Sequence, residues 1–162
     1  MKYRSTNIFC NFEFHDAVFY LETFIDGTLI LSAKCLNIHK SAEQNTHPTD
    51  MEIDEAIITF NNFRVKSYEP GRSWKVNENG ESYTDDPLII YNGAEAEVKL
   101  ISDLEDGIAV HEFGLMDDCY YIEAGSATEP WFHVEFFFDS ATIEWDNYRK
   151  MAWYEERNRA TT

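Results

Sequence analysis

The sequence predicts an all-β domain, an antiparallel meander of hairpins folded into a sandwich or an open barrel. A short C-terminal helix is the one candidate non-β element. Three observations carry this. Short runs that are apolar or alternate apolar with polar residues recur along the chain, as strands with a buried side require. Turn-forming pairs such as Asp26-Gly27, Asn61-Asn62, Asn92-Gly93 and Asp106-Gly107 punctuate these runs. Twelve Phe, nine Tyr and four Trp among 162 residues are more aromatic surface than a single open layer keeps from water. That length fits one domain.

Taken in order, Asp26-Gly27 joins AVFYLETFI to TLILSAKCLNI. A two-residue hairpin there sets Phe24 opposite Leu29 and Tyr20 opposite Ala33. Residues 39–50 are polar and contain a proline, which reads as a surface loop. MEIDEAIITF, Asn61-Asn62 and FRVKSY form a second hairpin, with Phe60 against Phe63 and Ile58 against Val65. Thr59, Arg64 and Lys66 then point outward. Residues 69–87 form the longest loop, and a loop of that length is often functional. Trp74 stands out in it, either as a plug on the core or as an exposed contact. Asn92-Gly93 between LIIY and AEAEVKLIS is the strongest short hairpin signal. It places Ala94, Ala96, Val98 and Leu100 inward, with Glu95, Glu97 and Lys99 outward. Asp106-Gly107 then turns into GIAVHEFGL, and CYYIEA precedes a Gly-Ser-Ala-Thr-Glu-Pro turn.

Residues 131–146, WFHVEFFFDSATIEWD, read as the hairpin around which the chain is organised. With Asp139-Ser140 at the turn, Phe138 meets Ala141, Phe136 meets Ile143 and Val134 meets Trp145. The outer face then sets Glu135 opposite Glu144 and His133 opposite Asp146. Like charges directly across a strand pair destabilise it, so that face calls for a cation or a basic partner. Beyond it, Trp145, Tyr148, Met151 or Ala152, and Glu155 recur at helical spacing, with Asp146 as the cap. An extended tail packing Trp153 and Tyr154 is the alternative.

Charge narrows the function classes. Thirty acids against thirteen bases give −17, and residues 81–146 hold seventeen of the acids and one base, Lys99. Binding to phosphates needs a basic stripe, and anionic membranes need the same, so neither nucleic acid nor a membrane is expected as partner. No apolar run reaches membrane-spanning length. Polar residues interrupt the N-terminal region where a signal peptide would be apolar, which reads as a cytoplasmic chain. Cys10, Cys35 and Cys119 are too scattered for a disulfide framework or a zinc knuckle. The general alternative for such acidity is solubility alone.

Catalytic motifs are absent from the sequence. There is no phosphate-cradling glycine loop, no dinucleotide fingerprint and no nucleophile elbow around Ser32, Ser126 or Ser140. Thirty acids make proximity of two carboxylates uninformative about glycoside hydrolysis. His15 with Asp16, His39, and His47 with Asp50 are of ligand type. So are His111 with Glu112, and His133 with Glu135. Cupin-like barrels gather histidines and carboxylates from facing strands, but the His-x-His pair and downstream Glu of that family are missing here. His111, His133 and Glu135 are the weak candidates for a divalent metal, and no cofactor is expected.

In charge, size and lack of catalytic motifs the chain resembles immunity proteins, which neutralise a nuclease toxin by covering its basic substrate cleft. That resemblance implies an acidic protein-binding module with a basic, nuclease-like partner, attracted by its field and held by a few aromatic anchors. The residues expected at the contact are Trp131, His133, Glu135, Glu144, Asp146 and Tyr148, with Glu95, Glu97, Asp117 and Asp118 extending the field. Trp131 and Tyr148 become neighbours only if the last strand runs past Asp146. The competing readings are a small-ligand or metal-binding β-barrel, with or without enzymatic activity, and a structural or assembly subunit.

Overall fold

The computed structural model describes residues 1–155. The first strands are β1 (Tyr3–Thr6), β2 (Phe12–Glu13), β3 (Val18–Ile25), β4 (Thr28–Lys34), β5 (Asn37–Ile38), β6 (Met51–Ile53), β7 (Ala56–Asn61) and β8 (Arg64–Pro70). There follow β9 (Lys75–Val76), β10 (Ser82–Tyr83), β11 (Tyr91–Asn92) and a helix, α1 (Ala94–Asp106). The chain closes with β12 (Ile108–Met116), β13 (Cys119–Gly125), β14 (Phe132–Phe137), β15 (Ser140–Trp145) and β16 (Tyr148–Met151). Ten strands form one sheet, β1-β15-β7-β4-β3-β12-β13-β14-β8-β11, four form a second, β16-β6-β5-β2, and β10-β9 is a small ribbon. Every pairing is antiparallel, and the protein is β-dominated as the pattern predicts.

The large sheet folds back on itself. Five strands separate β7 from β8 in the sheet order, about 29 Å at normal strand spacing. The two linking residues, Asn62 and Phe63, reach only about 11 Å. The same holds for β14 and β15, joined by Phe138 and Asp139. The sheet therefore doubles over at the narrow β3-to-β12 junction, where Phe19 pairs with Ile108 and Val18 with Ala109. Rings from the two halves meet inside, with Phe60 of β7 6.0 Å from Phe136 of β14. The two links lie side by side. Asp139 N donates to Asn61 O at 2.9 Å, and Asn62 Nδ2 donates to the Asp139 carboxylate at 2.8 Å.

This corrects the central hairpin. The alternation is as read: Phe132, Val134, Phe136, Ala141, Ile143 and Trp145 are all buried. The partners differ. β14 pairs with β13 and β8, and β15 with β1 and β7. Glu135 lies beside Tyr121 and Ser67, not Glu144, so the expected repulsion does not exist. Periodicity fixes which face is buried but is silent on the neighbour, and here the turn's hydrogen bonds go to the adjoining link instead of across a hairpin. Phe60 and Phe63 are likewise not a ladder pair, although their rings touch at 5.8 Å.

Other elements divide similarly. The Asp26-Gly27 hairpin forms with Phe24 opposite Leu29, but a bulge between Leu21 and Thr23 moves Tyr20 opposite Ser32. MEIDEAIITF is split, β6 joining the small sheet and β7 the large one. Residues 39–50 form a loop whose Ala42, Asn45 and Asp50 are nevertheless buried. The Asn92-Gly93 hairpin is replaced by α1. Ala96, Leu100 and Leu104 fall on its buried face at helical spacing, and Ala, Glu, Lys and Leu are strong helix formers. Trp145 ends a strand and Tyr148 opens β16, so the helical reading of that stretch fails; among the described residues after Met151, 153–155 are helical. Asp146 caps no helix and instead accepts a hydrogen bond from Lys2 N at 2.6 Å.

Candidate protein-binding surface

The outer face of β13, β14 and β8 follows from the register. Tyr121, Glu135 and Ser67 form one row, and Glu123, His133 and Glu69 the next. Glu135 is occupied within the chain: Lys66 Nζ lies 2.9 Å away and Ser67 Oγ donates at 3.1 Å. The Lys66 hydrogen bond holds the Glu135 carboxyl below the usual range, against burial, which pushes it up. His133 stacks on Tyr121 at 5.4 Å, with Glu123 3.6 Å from Nδ1 and Glu135 3.9 Å from Nε2. Tyr121 in turn donates to Glu112, which raises the phenol pKa.

The remaining expected contact residues are dispersed. Glu144 sits on the other half of the sheet, 3.9 Å from Arg4. Tyr148 is partly buried, donates to Gln44 O at 2.8 Å and packs on Tyr3 and His47. It is not a neighbour of Trp131. Asp117 and Asp118 form the tip between β12 and β13, beyond the pair of Met116 with Cys119.

A different grouping forms around Trp131. The Gly71 amide donates to Trp131 O at 2.6 Å, an approach so close that a Cβ on Gly71 would collide with that oxygen. Beside it a groove of about 310 Å³ is lined by Gly71, Arg72, Trp74 and Trp131. Trp74 is 61% exposed and Trp131 36%, so Trp74 is a surface residue, not a plug. Arg72 spans the groove's edge, 5.5 Å from the Trp74 ring and 3.6 Å from Glu69.

The helix α1 packs on β8, β3 and β11, on the face of β8 that carries Tyr68. Its inner face is locked by Asp103, a buried carboxylate accepting hydrogen bonds from Tyr68 OH at 2.6 Å and Ser126 Oγ at 2.7 Å. Its outer face presents Glu95, Glu97, Glu105 and Asp106, none of which has an ion-pair partner among the described residues. Val98 is 69% exposed there, between shallow grooves lined by Tyr91, Ala94, Glu95 and Lys99 on one side and Phe24, Ile101 and Glu105 on the other. Glu95 and Glu97 are thus outward as expected, but on a helix. The exposed aliphatic segment 88–90 just before β11 was not singled out by sequence reasoning. Its signal was available, since LIIY lacks the polar alternation of a half-buried strand.

Two other places have chemistry. An aromatic cavity of about 490 Å³ is lined by Phe9, Phe12, Phe14, Phe113, Leu115 and Tyr120 among others. Asp50 collects His39 Nδ1 at 2.8 Å, Lys40 N at 2.8 Å and Tyr154 OH at 3.0 Å; these bonds hold its pKa down although burial, the largest influence, pushes it up. His111 lies at the bulge between Val110 and Glu112, and its carbonyl is 2.8 Å from His15 Nδ1. Among the described residues no group of three or more His, Cys, Asp or Glu is arranged to hold a metal, and no helix is long and apolar enough to cross a membrane. Comparison with family models, with curated proteins and with solved structures finds no match.

Proposed function

We propose that the chain is an acidic protein-binding module whose partner is a basic protein, and that in a cytoplasmic setting it works as immunity proteins do, by covering a nuclease-like cleft. The observations that support this best are the exposed pair Trp74 and Trp131 lining one groove, and the α1 carboxylates Glu95, Glu97, Glu105 and Asp106, which have no ion-pair partner among the described residues. Exposed Trp at the centre of a contact supplies most of the binding energy, while the field sets the encounter rate. The centre of the contact is Trp131, with His133 two residues further along the chain on the outer row of β14. Glu95 and Glu97 on α1, with Glu135, Asp117 and Asp118, add to the field, and Glu144, Asp146 and Tyr148 belong to β15, β16 and the link between them.

The experiment is titration against a panel of basic nucleases by surface binding at several salt concentrations. Affinity is expected to fall as salt rises. Trp131→Ala should weaken binding by about tenfold or more, mainly through faster dissociation. Glu95→Gln with Glu97→Gln should chiefly slow association. Binding that ignores both salt and these changes would refute the reading.

The aromatic cavity favours a second reading, a site for a small apolar ligand. Among the described residues no cation lines it to receive an anion, and five of the ten lining residues are aromatic. Nile red, a neutral dye, should bind with one-to-one stoichiometry and be excluded by Leu115→Trp. A dye that stays unbound, or binds both chains alike, removes this reading.

A further inference from the structure

We propose that residues 88–92 form an open sheet edge that accepts a strand from the basic partner, extending the ten-stranded sheet; this rests on the binding-module reading above. β11 is the last strand of that sheet and pairs with β8 only through Tyr91 with Tyr68 and Asn92 with Ser67. Carried on, the register would set Ile90 opposite Glu69 and Ile89 opposite Pro70. Proline has no N–H to give. The next amide, Gly71, is already bonded to Trp131 O. β8 is thereby committed to β14 at this end, and the chain before β11 is left without a ladder.

What remains is an unpaired segment with apolar side chains, its Ile90 carbonyl accepting from Asn92 Nδ2 at 3.4 Å. Leu88, Ile89 and Ile90 are 57%, 42% and 48% exposed. These three residues precede β11 and belong to no ladder, and exposure of all three leaves the segment uncovered. Open edges of this kind are normally blunted by charge, proline or a covering element, because they template pairing with another chain. Here Pro87 precedes the segment and the helix follows it, and neither covers it.

Charge selects the occupant. Residues 78–106 contain nine carboxylates and one base; Asp85 is paired with Lys75 and Asp103 is buried, which leaves seven toward solvent, and the base, Lys99, lies 4.2 Å from the Tyr91 ring. Two copies paired edge to edge would bring these carboxylates together, which opposes association. A partner strand alternating Lys or Arg with apolar residues meets both features, its apolar side chains on 88–90 and its cations toward α1. Strand addition takes affinity from main-chain hydrogen bonds and selectivity from alternate side chains.

The test is selection of short random peptides displayed on phage against the whole chain, followed by hydrogen exchange with the selected peptides bound. Selected peptides are expected to alternate basic and apolar residues and to slow exchange of the amides at 88–90. Ile89→Pro, at a position with no backbone hydrogen bond to lose, should weaken them about tenfold or more through lost main-chain bonds. N-methylation of alternate peptide amides should do the same without altering the protein. Basic, salt-sensitive peptides that protect the groove between Trp74 and Trp131 and ignore Ile89→Pro overturn the edge while leaving the module reading intact. Failure to select any basic peptide overturns both. A dimer of the chain that protects the same amides replaces the basic partner with a second copy and overturns the proposal.

Discussion

Tyr68→Phe removes one oxygen from the joint between α1 and β8, the helix that carries Glu95, Glu97 and Val98. Tyr68 and Asp103 are both buried, and the phenol donates to the carboxylate at 2.6 Å. A hydrogen bond to a charged group is worth about 1.5–3 kcal/mol. Asp103 keeps Ser126 Oγ at 2.7 Å and Thr128 Oγ1 at 3.3 Å, which puts the loss at the lower end, about 1.5–2 kcal/mol. Urea unfolding followed by tryptophan fluorescence measures it, and the corresponding fall in Tm is about 3–8 °C. A second signature lies at alkaline pH. Burial, and then the Asp103 hydrogen bond, push the Tyr68 phenol far above its ordinary range. A group whose pKa is raised on folding stabilises fully below its unfolded value, about 10, and loses that contribution as pH climbs toward the folded value. Wild type should therefore lose up to about 1.4 kcal/mol per pH unit from this group above pH 10, and Tyr68→Phe should lack that component. Tyr154, raised by burial and by Asp50, contributes to both chains and cancels. A variant within about 0.5 kcal/mol of wild type at pH 7, with an unchanged alkaline slope, would refute the lock.

Gly71→Ala forces a Cβ into the Trp131 carbonyl oxygen, a backbone atom that no rotamer change relieves. A cost of about 1–3 kcal/mol is expected, with faster exchange of the amide at position 71. Phe9, whose ring meets Phe60, Phe113, Tyr120 and Phe138, should cost about 3 kcal/mol when truncated to Ala; chemical denaturation checks the loss, and dye binding should rise as the aromatic cavity enlarges. Glu135→Gln should flatten the acid limb of the stability profile. The carboxyl is depressed chiefly by Lys66, so its contribution is present above about pH 4.3 and disappears as pH falls through the lowered value. Lys66 is 45% exposed, which keeps the effect below about 1 kcal/mol and makes it shrink in salt.

The fold class was legible because burial writes itself into alternation. Phe132, Val134 and Phe136 were placed on the buried face without knowledge of their neighbours. Pairing was not legible, since Asn61-Asn62 and Asp139-Ser140 have the composition of hairpin turns but serve as links between the halves of a doubled sheet. What decides between the two uses is hydrogen bonding between distant links, which no local window contains. The helix was hidden by the coincidence that AEAEVKL alternates as a strand does. Reading on to Leu104 reveals the four-residue repeat of Ala96, Leu100 and Leu104. At the candidate surface, Glu95 and Glu97 were placed outward for the wrong element. Glu135 and Glu144 were set together by a register that does not occur, and each has a cation of its own in Lys66 and Arg4. Trp131 was found by its residue type, but its companion Trp74 depends on a loop path that sequence does not specify.

The pairing of β1 with β15 has a consequence for how the chain is made. Tyr3 is matched with Trp145, so β1 must wait for a segment made far later in the chain before its ladder exists. β15 also separates β1 from β7, and a nascent chain that has not yet reached it leaves both strands raw. Closure is therefore expected to be slow, as for other topologies dominated by distant contacts. During that wait the growing polypeptide depends on chaperones more than its final stability would suggest.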